Sequence, residues 1–218
     1  MMTESGERQI PVRVAELLCS RLCHDLISPV AALNNGMELL AEDPADMIGD
    51  VADLLAFSAG QASARLQFYR VAYGLGGGEA AALSLPDAAR LVRGMAEPGK
   101  LELDWPAEPG ESIGRDATKL VLNLAALGIE ALPRGGRLRV EITRGELLTL
   151  SVTGEGVGAG LREEVAAALD PAAGAHGLTA RSVQGWFTAW LARAQGGDCV
   201  AVKGSDSVTL TATARSAE

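Results

Sequence analysis

Residues 17–40 read Leu17-Leu18-Cys19-Ser20-Arg21-Leu22-Cys23-His24-Asp25-Leu26-Ile27-Ser28-Pro29-Val30-Ala31-Ala32-Leu33-Asn34-Asn35-Gly36-Met37-Glu38-Leu39-Leu40. Leu18, Leu22, Leu26, Val30, Leu33, Met37 and Leu40 recur at spacings of three and four, which puts them on one stripe of a helix. Pro11 suits the first turn of that helix. Glu42-Asp43-Pro44 should end it, because proline disfavours helix in the residue before it. A second helix is expected from about Ala45 to Tyr73, with Ile48, Val51, Leu55, Ala62, Leu66, Tyr69 and Tyr73 as its stripe. A short turn between two long helices gives an antiparallel hairpin. Two helices bury such stripes poorly, so hairpins from two chains should pair as a homodimeric four-helix bundle.

The 218 residues suffice for one large domain or two small ones, either able to bury a core. Aromatics are only 4% of the chain, so Ala and Leu must build most of that core. The net charge of −9 argues against a dedicated nucleic-acid binder and against a polybasic membrane patch. Cys19, Cys23 and Cys199 form no disulfide framework, and with two histidines they make no common zinc set. Reduced thiols in a cytoplasmic protein are the simplest reading. No apolar run reaches the roughly 18 residues of a membrane span. The start, Met1-Met2-Thr3-Glu4-Ser5, lacks a charged-then-apolar leader.

Composition shifts near Tyr73-Gly74-Leu75-Gly76-Gly77-Gly78, where a glycine run permits a joint. The chain therefore divides into residues 1–75, a helical hairpin, and residues 76–218, where helices and strands alternate. Leu83–Met95 should be a helix capped near Ser84, and Leu101–Trp105 a strand. Arg115–Leu132 should be an amphipathic helix. Leu138–Thr143 and Leu147–Thr153 should be strands around Arg144-Gly145-Glu146. Leu161–Leu169 and Thr179–Ala194 should be helices, and Cys199–Lys203 and Val208–Ala214 a closing hairpin. A mixed sheet with helices over one face fits this order, an α+β fold.

His24 lies about 180° from the apolar stripe. Its expected neighbours on the outer face are Ser20, Arg21, Ser28, Ala31, Asn35 and Glu38, mostly small or polar, so a large partner can approach the imidazole closely. A solvated histidine with no role is the plain alternative. Pro29, five residues on, removes a helical hydrogen bond and usually kinks a helix, a costly choice for an ordinary surface segment.

His24-Asp25-Leu26-x-x-Pro29 resembles the H-box of histidine kinases, which lies on the first helix of a dimeric hairpin. Residues 17–30 together with Asn34-Asn35-Gly36-Met37-Glu38-Leu39-Leu40 resemble more closely the alphaproteobacterial histidine phosphotransferases. The resemblance is strongest in residues 10–45 and weaker after them. It implies that His24 carries a phosphoryl group. A neutral imidazole nitrogen is a good nucleophile toward phosphorus, and imidazole ordinarily titrates near pH 6.5. Asp25 can orient the ring or take its proton; a solvated carboxylate is the alternative. Ser28 stands where family members often place a polar group that assists dephosphorylation; a plain surface serine is the alternative. Arg21, Ala31, Asn35 and Glu38 would meet the partner.

The second half resembles the ATP-binding (Bergerat/GHKL) α/β sandwich of histidine kinases. Lys119–Ala131, with Asn123 inside it, resembles the asparagine box. Val152-Thr153-Gly154-Glu155-Gly156-Val157-Gly158 resembles the box that normally reads Asp-x-Gly-x-Gly. His176-Gly177-Leu178-Thr179 resembles a shortened lid, and Gly196 to Ala214 the closing hairpin. The family's magnesium-binding asparagine falls at Leu127, which offers no oxygen to a hard cation. Its adenine-reading aspartate falls at Gly154. ATP binding and self-phosphorylation are therefore not expected. Gly154, Gly156, Gly158 and Gly160 follow a strand and precede a helix, so a phosphate-cradling loop is an alternative to a plain turn. His176 reads as structural or solvated.

The leading expectation is a phosphorelay intermediate with no cofactor of its own, Mg2+ being supplied by the receiver domain. The resemblance implies a CckA-like hybrid kinase receiver as donor and CtrA-like and CpdR-like response regulators as acceptors, in cell-cycle control. Arg134, Arg137, Arg139 and Arg144 concentrate positive charge. Arg137 and Arg139 share a strand face that could meet an acidic receiver; a solvated face is the alternative. An active kinase with an unusual nucleotide site and a binding-only dimer are the competing readings.

Overall fold

The computed structural model describes residues 9–42, 48–74, 83–106 and 112–215. Helix α1 spans Val12–Glu42 and α2 spans Ile48–Ala72. Gly36 is buried, and a methyl group on it would come within 2.8 Å of Leu55 Cδ2. The two helices therefore meet closely toward the end of α1 and the start of α2, while Asp25 meets Arg65 and Tyr69 further from those ends. This pairing makes the hairpin antiparallel. The turn expected at Asp43-Pro44 and the glycine joint at residues 75–78 lie outside the described residues.

Helix α3 (Leu85–Met95) has the expected cap but starts two residues after the expected Leu83. Ser84 caps it, its hydroxyl accepting from Asp87 N at 3.2 Å, with Pro86 in the first turn. Strand β1 (Leu101–Asp104) precedes α4 (Arg115–Glu130), and β2 (Gly136–Thr143) and β3 (Leu147–Glu155) follow. After them come α5 (Glu163–Ala168), a single 3-10 turn at Ala175–Gly177, α6 (Val183–Ala194), β4 (Cys199–Lys203) and β5 (Ser207–Arg215). Helix α6 starts later than its apolar pattern suggests. Thr179 Oγ1 accepts from the amides of Arg181 and Ser182 and folds those residues into a turn.

The sheet order is β1-β2-β3-β5-β4. β1 and β2 are parallel and every other pair is antiparallel, so the sheet is mixed. Leu148, Leu150, Val152 and Gly154 alternate inward on β3, and Val208, Leu210, Ala212 and Ala214 do so on β5. The opposite face carries Ser151 against Thr211 and Thr153 against Thr209, the latter hydroxyls 3.1 Å apart. One face is thus mainly polar, with the exposed Val200 and Val202 at its β4 edge, and the other packs under helices, as period-two alternation requires.

Helix α4 corrects one expectation. It is buried almost all round, from Ala117 to Gly128, rather than amphipathic. The sheet covers one side, and α2, α3 and α6 cover the side that an outermost helix would leave wet. Gly128 permits the approach, since a methyl group there would lie 2.6 Å from Leu138 Cδ1. The core around α4 is continuous with Val14, Leu18, Phe68, Tyr69 and Ala72 at the base of the hairpin. The far part of the hairpin is different. Val30, Met37, Phe57 and Leu66 are each at least 45% exposed.

Cys199 is buried, and burial pushes its thiol up to about 12. Cys19 and Cys23 are exposed. Among the described residues, no helix is long and apolar enough to cross a membrane.

Candidate functional site

His24 sits mid-helix on α1, on the outer face, with its side chain 87% exposed. Its Nδ1 lies 3.4 Å from Asp25 Oδ1, at the long end of hydrogen-bond range. A carboxylate only accepts, so in this pairing Nδ1 carries the proton and Nε2 keeps its lone pair toward solvent. Ser28, Ala31, Asn35 and Glu38 are exposed around it, as the helical wheel implies.

Arg21 is a correction. The helical wheel puts it on the outer face, but its side chain is 13% exposed and bonds Glu130 of α4. A long side chain at the wheel's edge can swing inward when a buried carboxylate waits there. Burial would lower the Arg21 pKa, but Glu130, with help from Tyr73, Tyr69 and Asp25, outweighs it and holds the guanidinium charged. Burial raises the Glu130 pKa, and Arg21 opposes the rise.

Asp25 is held from below. Tyr69 donates its hydroxyl to Asp25 Oδ2, and Arg65 donates to the Asp25 backbone oxygen. Tyr69 is almost fully buried, its ring stacked on Tyr73 with centroids 4.8 Å apart. Burial is the largest cause raising its pKa, with Tyr73 and the Asp25 bond adding to it, so the phenol stays a donor. Arg21, Asp25, Arg65, Tyr69 and Glu130 are among the residues that line a pocket of about 190 Å3. Sequence reading missed Arg65, and took Tyr69 only as part of the apolar stripe. Pro29 carries the available signal. It stands four residues after Asp25 and leaves that carbonyl without its helical donor.

Arg137 and Arg139 share one strand face, as expected, and that face is not purely positive. In register, Glu102 lies beside Arg137 and Asp104 beside Arg139. Asp104 Oδ2 is 3.2 Å from Arg137 and 3.4 Å from Arg139, and Glu102 is 3.6 Å from Arg137. The strand face carries mixed, paired charge rather than a positive patch. It belongs to the sheet's polar face, with Arg139 beside Thr153.

The segments that resemble a nucleotide site are filled by protein. Leu127 is wholly buried in the core. A side chain at Gly154 would press on Leu132 Cγ at 3.3 Å and on the Gly128 carbonyl at 3.4 Å. Asn123 is wholly buried, donating to the Ala72 and Lys119 carbonyls at 3.0 and 2.8 Å and accepting from Gln184 at 2.7 Å. The glycine loop is no free cradle. The Gly156 amide donates to the Asp206 carbonyl, that of Gly158 to Asp206 Oδ1, and that of Gly160 to the Ala131 carbonyl. His176 is exposed on the 3-10 turn.

Residues 85–207 match the family model described as the histidine phosphotransferase C-terminal domain. The protein phosphotransferase ChpT of Brucella abortus (strain 2308) is 43% identical over 126 residues, 58% of this chain and 59% of that protein. The non-motile and phage-resistance protein of Caulobacter vibrioides is 32% identical over 133 residues, 57% of this chain and 14% of that protein. The chain thus matches less than two thirds of the length of either curated relative. A solved structure described as a bacterial phosphotransferase superposes with a TM-score of 0.78 at 31% identity, covering 95% of this chain and 98% of the other.

Proposed function

The chain belongs to the histidine phosphotransferase family, and from that premise we propose that it is a phosphorelay enzyme whose His24 accepts and passes on a phosphoryl group. The observation that carries this reading is an exposed imidazole whose Nδ1 faces a carboxylate, leaving Nε2 free. The Nε2 lone pair attacks the phosphorus of a receiver's aspartyl phosphate. The N–P bond forms as the bond to the aspartyl oxygen breaks, and a carboxylate leaves. The ring becomes cationic in that step, and Asp25 beside Nδ1–H stabilises it. In the second half, an aspartate of another receiver attacks the same phosphorus and the neutral imidazole leaves. Such transfer needs positioning and charge neutralisation more than elaborate side-chain chemistry. Mg2+ comes with the receiver. Ser28, one turn from His24, faces the same space.

A CckA-like hybrid kinase receiver is the donor in this reading, and CtrA-like and CpdR-like response regulators are the acceptors, in cell-cycle control in the cytoplasm. Membrane and nucleic acid play no part. Residues 76–218 form a pseudo-ATPase domain. The buried Leu127, the crowded Gly154 and the engaged loop amides support independence from ATP.

The test is acid-labile label on purified protein. Label should reach the wild type from a phosphorylated donor receiver and never reach His24→Gln, and ATP alone should label neither. Label on His24→Gln would overturn the assignment of the carrier. Label from ATP alone would make the protein a kinase. Binding of receivers with no label on either form would leave a binding-only module.

The exposed Val30, Met37, Phe57 and Leu66 support a homodimer in which two hairpins make a four-helix bundle. Light scattering should give twice the 22.5 kDa chain mass. Phe57→Glu should shift the protein to the single mass at micromolar concentration. A monomeric wild type would remove the bundle from this account.

A further inference from the structure

We propose that Arg65 and Tyr69 of α2 are positioning residues for phosphoryl transfer: by clamping Asp25 at two points they hold the His24 ring with Nδ1 protonated and Nε2 presented. This rests on the reading of His24 as the phosphoryl carrier.

The clamp follows from the proline. In an α-helix the carbonyl of residue 25 would accept from the amide of residue 29. Pro29 has no N–H and its ring crowds the carbonyl four residues earlier. The Asp25 carbonyl therefore loses its partner at the residue next to the reactive histidine. Arg65 supplies the missing donor from across the hairpin. A guanidinium can do so without following helix geometry, and its charge strengthens the bond. Helix α1 runs unbroken from Val12 to Glu42 through this point.

One turn further along α2, on the same face, Tyr69 donates to Asp25 Oδ2. The carboxylate has one free rotation about its own axis. With Oδ2 fixed by a buried phenol, Oδ1 is the atom left to face His24 Nδ1. The Tyr69 ring cannot turn away, because it stacks on Tyr73 and meets Phe68 edge-on at 5.6 Å. Arg21 stands one turn before Asp25 and could draw the carboxylate off the imidazole. Glu130 occupies it instead. The charged groups around Asp25 are thereby sorted, with Arg21 to Glu130, Arg65 to the backbone, Tyr69 to Oδ2 and His24 to Oδ1.

The test reads the ring itself before any phosphate is added. Full-length protein with 15N-labelled histidine is compared as wild type, Tyr69→Phe, Arg65→Ala and Arg65→Lys, at a pH where the imidazole is neutral. The wild type should show His24 mainly as the Nδ1–H tautomer. Tyr69→Phe and Arg65→Ala should move the population toward Nε2–H, and Arg65→Lys, which keeps a cationic donor, should restore part of it. In transfer from a phosphorylated receiver, the rate at saturating donor should fall roughly 10- to 100-fold for Tyr69→Phe and Arg65→Ala, as when an imidazole loses the partner that orients it. The donor concentration for half-saturation should stay near that of the wild type. Tyr69→Phe removes a single oxygen and keeps the stacked ring, so it tests the clamp even if Arg65→Ala misfolds. An unchanged tautomer ratio in Tyr69→Phe, or transfer at the wild-type rate, would overturn the proposal. Continued transfer by His24→Gln would instead overturn the carrier assignment, and the tautomer shift would still show whether the clamp orients the ring.

Discussion

Asn123→Leu is expected to lower the free energy of unfolding by about 3 kcal/mol, from two buried groups left without partners at about 1–3 kcal/mol each. Ala72 is the last residue of α2, so its carbonyl has no donor within the helix. Asn123 supplies that donor from α4, at 3.0 Å. Its own oxygen accepts from Gln184 of α6 at 2.7 Å, and the Gln184 oxygen accepts the Tyr73 hydroxyl. Burial is the main cause that raises the Tyr73 pKa and keeps that hydroxyl protonated. A chain of side-chain amides therefore ties the end of the hairpin to two helices of the second half. Leucine has the same branched shape but neither donor nor acceptor. The Ala72 carbonyl and the Gln184 amide would both be stranded. Urea unfolding should show a lower midpoint with an unchanged slope. The double variant Asn123→Leu/Gln184→Leu should cost less than the two single changes added, because the stranded Gln184 amide is gone. A loss below about 1 kcal/mol would mean that water replaces these bonds. The residue that resembles the first asparagine of a nucleotide box works here as a fastener.

Much of this was legible in the sequence, for reasons that differ by element. Strands β2, β3 and β5 alternate strictly and their turns are marked, so their places follow from period two. Ser84, three residues before Asp87 and just before Pro86, announces α3 by capping chemistry. Helix α4 misled because periodicity reports how a helix contrasts with water. Once α2, α3 and α6 cover its far side there is little contrast left to read.

At the site, the exposure of His24, Ser28, Ala31, Asn35 and Glu38 followed from the helical wheel alone. Arg21 did not, because the pull of Glu130 comes from 109 residues away. The shared face of Arg137 and Arg139 follows from period two, but the acidic β1 side chains beside them do not, because a parallel neighbour cannot be placed from one strand's sequence. Tyr69 shows a different limit. Its ring does belong to the apolar stripe, but the hydroxyl at its tip reaches a carboxylate, and a stripe hides such tips. Pro29 was read as a kink. Its larger consequence is the carbonyl it leaves unpaired, and that consequence pointed to a donor on the facing helix.

Introducing the two residues that the resemblance to histidine kinases would place there, in the variant Leu127→Asn/Gly154→Asp, is expected to destabilise the protein and to give no ATP binding. Leu127 is wholly buried, and exchanging it for an amide loses roughly 1.5–3 kcal/mol of apolar burial. Burying the new polar group without a partner adds roughly 1–3 kcal/mol. Together these put the loss from Leu127→Asn alone at about 4 kcal/mol, a large share of the 5–15 kcal/mol typical of a domain. At residue 154 the first added carbon already presses on Leu132, and the carboxylate would lie near the Gly128 carbonyl, which can only accept. Around both positions the groups that would meet a nucleotide are engaged. Asn123 holds Ala72 and Gln184, and the loop amides hold Asp206 and Ala131. Two side chains are therefore not expected to make a nucleotide site, because buried side chains fill the space and the loop amides are already bonded. Calorimetric titration with millimolar ATP and Mg2+ should show no saturable heat in the double variant. Its melting temperature should lie well below that of the wild type and should not rise with nucleotide. A nucleotide-dependent rise in melting temperature would mean that the site had kept its shape and lost only two contacts. In that case the wild type, too, would have to be tested as a weak nucleotide binder.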